Sequence, residues 1–188
     1  MKVAAALLLL LALSPVERAL QDGAFKHENT PDNLKQLFER LHRAITAGDD
    51  KSALALTNSV LPDEAALKKG LKDGVAPEAF AQALDVFTKQ LPDESRRAQL
   101  FRADPANTQV RVYAATTEEI VKYEKGSTAF MHFPMGAKKL AETVLRPGMT
   151  YHEVVLAKPG ADAGMKFHLF YWAGDRWAML GPLWRAIK

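Results

Sequence analysis

The chain has no cysteine in 188 residues. That excludes disulfides, a thiolate zinc site, a cysteine nucleophile and a lipid-modified cysteine anchor. It also lacks a long apolar run: Val3–Leu13 is uncharged but holds only 11 residues, against the roughly 20 that span a bilayer. Charge of one sign is scarce in excess. Lysine and arginine number 25, aspartate and glutamate 22, for a net +3. With no basic cluster beside it, that balance argues against a nucleic-acid partner. Catalytic signatures are missing too. There is no Gly-x-Ser-x-Gly, no His-Glu-x-x-His and no glycine-rich phosphate cradle. The serines (Ser14, Ser52, Ser59, Ser95, Ser127) are scattered.

What is present begins with an export signal. Lys2 is a short positive region and Val3–Leu13 the apolar one. Ala12-Leu13-Ser14 and Ala19 are the two candidate cleavage positions. The expected organisation is a signal peptide over 1–19, a flexible lead-in over 20–29, and one domain over 30–188. Localisation is expected to be periplasmic or secreted, with no stable membrane span after signal removal.

The first part of the domain reads as helical, over 30–104. Thr30-Pro31-Asp32 is a cap followed by proline at the first helical position. Leu34, Leu37, Phe38, Leu41, Ala44 and Ile45 form one apolar face, and Gly48 ends the helix. Further helices are expected over about 51–61, 63–73, 77–90 and 93–103. Leu-Pro-Asp-Glu occurs at 61–64 and again at 91–94. The match stops after those residues, so it reads as helix-start chemistry, with proline at the first helical position, rather than as a repeat.

The second part, 107–188, reads mainly as sheet. Thr108–Ala115 alternates as a half-buried strand does. Thr116-Thr117-Glu118-Glu119 is a capping box. Ser127–Phe133 is ambiguous between strand and loop, Gly136–Leu145 is helix-like and Thr150–Ala157 is a strand. Met165–Lys188 holds all three tryptophans. A two-residue Gly174-Asp175 loop pairs Trp172 with Trp177, Tyr171 with Ala178, Phe170 with Met179 and Leu169 with Leu180. Both faces of that hairpin are apolar, so its sheet should be covered on both sides. Helices first and strands last, with no βαβ alternation, make an α+β domain of N-terminal helices on a C-terminal antiparallel sheet.

The terminal run Phe167-x-Leu169-Phe170-Tyr171-Trp172-x-Gly174-x-x-Trp177-x-x-Leu180-Gly181-Pro182-x-Trp184-Arg185 resembles the ending of small exported bacterial proteins. An early helix ending in Ala47-Gly48-Asp49, with a late meander containing Gly-x-x-Trp, is similar to the nuclear-transport-factor-like, cystatin-like superfamily. That resemblance implies a cone of helices against a curved sheet. The chain departs from it by having more helix between 50 and 104, and no catalytic residue carries over.

Five histidines remain: His27, His42, His132, His152 and His168. If the 158–163 turn pairs 152 with 168, the two imidazoles share a face, close to Glu153 and with His132 near. A one-residue slip separates them. The expected ligand-binding residues are His152, His168, Tyr171, Tyr113 and Arg176, lining one mouth between sheet and helices. Phe170 and Trp172 are the expected partner surface. Lys166, Arg176 and Arg185 suit either an anionic ligand or stacking on the tryptophans. No metal site, cofactor or catalytic residue is assigned. The expected function is an exported module that binds a small molecule or protein without chemistry. The alternative is a pocket-based hydrolase or isomerase with His152, His168 and Tyr171 as acid-base groups.

Overall fold

The computed structural model describes residues 25–75, 79, 82, 83, 85, 91 and 93–185. The expected signal over 1–19 lies outside the described residues, as does most of the expected helix over 77–90, including Phe80, Leu84 and Phe87. The elements in order are α1 (Pro31–Ala47), α2 (Asp50–Val60), α3 (Glu64–Gly70), α4 (Glu94–Ala98), β1 (Gln109–Thr116), α5 (Thr117–Lys122), α6 (Thr128–His132), α7 (Met135–Thr143), β2 (Thr150–Ala157), β3 (Gly164–Trp172), β4 (Trp177–Met179) and a 3₁₀ turn, Leu183–Arg185. The strands form one antiparallel sheet in the order β1-β2-β3-β4. The class is α+β, as the order of patterns implies.

Local chemistry sets most boundaries. Thr30 accepts a hydrogen bond from the Asn33 N–H, Pro31 opens α1, and Gly48 closes it at φ 71°. Asp49 and Asp63 cap α2 and α3. Both Leu-Pro-Asp-Glu copies act through the aspartate, not the proline. Asp63 accepts from the Ala66 N–H and Asp93 from the Ser95 N–H, and each helix starts two residues later than a start at the proline would put it. The capping box forms as expected, with Thr116 and Glu119 exchanging bonds. Ser127–Phe133 resolves as α6, because the Ser127 hydroxyl accepts from the Phe130 N–H and starts a helical turn before Pro134.

The terminal hairpin has the expected register, Trp172 with Trp177, Tyr171 with Ala178 and Phe170 with Met179. The Ala173 N–H donates to the Arg176 carbonyl, closing a loop of Gly174 and Asp175 in which Gly174 alone takes positive φ, at 105°.

Helices cover both faces of the sheet. On one face Phe38 of α1 and Phe101 meet Phe167 and Phe170 at ring separations of 5.1 to 6.2 Å. Asn33 of α1 accepts from Trp177 Nε1 on the same side at 3.2 Å. On the opposite face the Tyr171 hydroxyl donates to the Ala66 carbonyl of α3, and the Tyr151 hydroxyl to Gly70 O. A Cβ at Gly70 would stand 2.7 Å from the Tyr171 ring, so only glycine lets α3 approach this closely. Burial of this set is the main stabilising term, about 25 cal/mol per Å² of apolar surface.

Candidate functional site

β2 carries one carboxylate in an otherwise apolar strand. Glu153 is fully buried. A buried carboxylate is costly unless charged or hydrogen-bonding partners surround it, and three side chains do. Lys166 Nζ lies 3.0 Å from Oε1, His132 Nδ1 3.4 Å from Oε1, and His168 Nδ1 2.8 Å from Oε2. The partners come from two elements, β3 for Lys166 and His168 and α6 for His132. The His132 ring stacks on Tyr113 of β1, with centroids 3.4 Å apart and planes 14° apart. His168 meets the Trp184 ring edge-on at 5.7 Å.

The strand register brings His168 here. Ala157 pairs with Gly164 and Val154 with Phe167, which sets His168 opposite Glu153. His152 then pairs with Phe170, so the register shifts by one residue between them. The extra residue, Leu169, is buried and takes φ 61°. A left-handed leucine costs on the order of 1–3 kcal/mol. The bulge shifts the β2–β3 pairing by one residue, so that Phe167 and Phe170 both turn to Phe38 of α1 while His168 and Tyr171 take the other face.

The expected pairing of 152 with 168 is therefore wrong by one residue, and the two histidines lie on opposite faces. His152 is buried against Trp177, ring to ring at 5.0 Å. Tyr171 shares the face of His168, but its hydroxyl is buried on Ala66 O and faces no cavity mouth. Arg176 is spent on the corner between α2 and α3, donating to Ser59 O, Leu61 O and Asp63. Phe170 is fully buried among Phe38 and Phe101 and offers no surface. Trp172 is half-buried. Of the five expected ligand residues, the fold gathers His168 and Tyr113. It adds His132, Lys166 and Glu153, the last legible as the one carboxylate in the Thr150–Ala157 strand.

The electrostatics are mixed. Burial holds the His132 imidazole below its ordinary value. Glu153 pulls it back up, while Lys166 and Arg111 push it down. Burial also lowers His152, partly offset by the Phe170 backbone. The distances around Glu153 are those of ion pairs, yet the donors are not aimed along the carboxylate lone pairs. Both Glu153 oxygens and the Nδ1 atoms of His132 and His168 lack an aligned hydrogen bond. So does Arg111 Nε, although Arg111 Nη2 donates to Ala161 O and Asp162 O. With Nδ1 turned inward, each imidazole keeps Nε2 on its outward side, and each side chain is 19% exposed. Among the described residues no group of three or more His, Asp or Glu side chains is arranged to hold a metal ion. The cation beside this carboxylate is Lys166.

Two shallow grooves lie next to the cluster, along the outer edge of β1. One, of about 350 Å³, is lined by Pro31, Asp32, Lys35 and Val110 to Tyr113. The other, of about 450 Å³, is lined by Lys35, Glu39, Thr108 to Arg111 and Pro159. They share Lys35, Val110 and Arg111 and so run on from one another. Among the described residues no helix is long and apolar enough to cross a membrane. Comparison with protein-family models, curated proteins and solved structures gave no match.

Proposed function

We propose that the protein is an exported binding module whose ligand is a small anion, a carboxylate or phosphate, taken by the outward side of His132 and His168 with Lys166 beside them. The observation that carries this is the Glu153 cluster itself. A fully buried carboxylate holds two imidazoles by Nδ1 and leaves their Nε2 edges outward. Counting charges, Lys166 and Arg111 outnumber Glu153 by one when the imidazoles are neutral, which favours a negative ligand. Buried polar atoms without aligned partners are places where water or a ligand completes the network. Export is supported by Lys2 and the Val3–Leu13 run. Membership of the nuclear-transport-factor-like superfamily belongs to the same proposal, supported by the early capped helix and the Gly174-x-x-Trp177 hairpin.

The test is an NMR titration of the five histidine rings with inorganic phosphate and, separately, acetate. His132 and His168 should move together and saturate while His27 and His42 stay still. Lys166→Met should weaken binding about tenfold, equivalent to about 1.4 kcal/mol. Equal, unsaturable drift of all five rings would sink the reading. N-terminal sequencing from the native host should find the first residues, up to about 14–19, removed. A chain still starting at Met1 would refute export.

One contact favours the second reading, a hydrolase or isomerase. His168 Nδ1 lies 2.8 Å from Glu153 Oε2, the separation at which a carboxylate orients an imidazole for proton transfer at Nε2 once the bond between them is aligned. Under that reading His168→Ala abolishes turnover of a substrate with binding and folding retained. Under the binding reading it costs affinity alone.

A further inference from the structure

β1 is an edge strand with an open hydrogen-bonding side, and its phase can be read from one bond. The Thr117 N–H donates to Met149 O, and the β1–β2 register runs from Gln109 with Ala157 to Thr116 with Thr150 without a break. In an antiparallel ladder, bonded and non-bonded pairs alternate. The odd-numbered residues of β1 therefore bond to β2. Val110, Val112 and Ala114 turn their N–H and C=O groups outward. Thr116 confirms the phase, because its N–H is taken by the Glu119 carboxylate rather than by β2. Among the described residues, nothing is bonded to the six outward groups of Val110, Val112 and Ala114.

Natural edges are usually blunted by proline, bulges or short length. β1 has eight residues, no proline, no glycine and no bulge. The grooves of about 350 and 450 Å³ leave the space beside it open, between β1 and the Pro31, Asp32, Lys35 and Glu39 side of α1.

We propose that a second copy of this chain fills that edge, β1 against β1 in antiparallel sense about a two-fold axis at Val112. The sequence is self-complementary in that register. Val112 faces Val112, and Val110 faces Ala114 twice, so all six outward groups pair. Arg111 falls opposite Tyr113 of the second copy, a guanidinium beside an aromatic ring instead of a second cation. Asp32, Lys35 and Glu39 give the groove wall both signs of charge, so two such walls meet without a single-sign clash. The contact is isologous and closes on itself. Two four-stranded sheets become one continuous sheet of eight strands. Arg111 and Tyr113 border the Glu153 cluster, so the second copy also forms one wall of the anion site. The dimer does not depend on that site being used.

The test is sedimentation equilibrium on the full chain, which should give about twice 20.7 kDa. Val112→Pro removes one outward N–H and no bond to β2, and should halve the mass while far-UV circular dichroism stays the same. The absence of native cysteine allows a second variant. Val112→Cys should form a covalent dimer on mild oxidation, and Ala114→Cys, whose counterpart is Val110, should not. A wild-type monomer at about millimolar concentration overturns the proposal and leaves the edge to a strand from another protein. So does cross-linking at Ala114→Cys that equals that at Val112→Cys.

Discussion

The two faces of the sheet are built by different physics. On the α1 face, Phe38, Phe101, Phe167 and Phe170 interlock through ring contacts, Trp177 packs on Trp172, and the polar additions are Asn33 and His152. On the α3 and α6 face, buried hydroxyls and a buried carboxylate reach specific partners: Tyr171 on Ala66, Tyr151 on Gly70, and Glu153 on Lys166, His132 and His168. Apolar burial is non-directional and large. Buried hydrogen bonds add little net energy but punish a wrong register heavily, since a missed partner leaves a desolvated group. One face therefore supplies stability and the other supplies uniqueness. The chemistry collects on the face where misplacement is expensive.

That contrast can be broken most forcefully at Trp177, fully buried on the apolar face where it meets His152 and Trp172. Trp177→Ala should cost about 3–5 kcal/mol in denaturant unfolding. An unchanged midpoint and slope would show that this face is not the stabilising one. On the polar face, Tyr171→Phe keeps the ring and removes one bond to the Ala66 carbonyl, which still accepts within α3, for an expected loss of about 0.5–1.5 kcal/mol. A loss as large as that of Trp177→Ala would erase the distinction between the faces.

The smallest effect is in pH. His132 on one face, His152 on the other and His27 beside Trp177 are all held below the ordinary 6.5, chiefly by burial. A base with a lowered folded pKa binds fewer protons than the unfolded chain just below 6.5. Stability is then complete above that value and falls as pH drops through it. Urea unfolding at about pH 7.5 and about pH 5.5 should show a lower midpoint in acid, and His152→Gln should shrink the difference. A midpoint that rises in acid would contradict the burial of these rings.

Much of this was legible in the chain. Thr30, Gly48 and the Thr116/Glu119 box act on neighbours within a few residues, so their patterns predict helix ends directly. Trp172 and Trp177 are joined by a two-residue loop, and so short a connection leaves one register. Ser127–Phe133 was harder, because its apolar residues suit either period until the Ser127 cap and the packing of Tyr113 on His132 decide.

The sequence by itself determined the class, the helix caps, the terminal hairpin and the residue types available for chemistry, because each depends on side-chain periodicity or on contacts a few residues apart. Which histidines meet was decided only by tertiary structure. The 158–163 connection is long enough to permit several registers, and a shift of one residue exchanges the faces. The buried positive-φ residue Leu169 shifts the β2–β3 pairing by one residue, so that Phe167 and Phe170 both face Phe38 of α1. His168 then lies against Glu153 and His152 against Trp177, on opposite faces, because packing across the sheet and not contacts along the chain decides which side chains share a face.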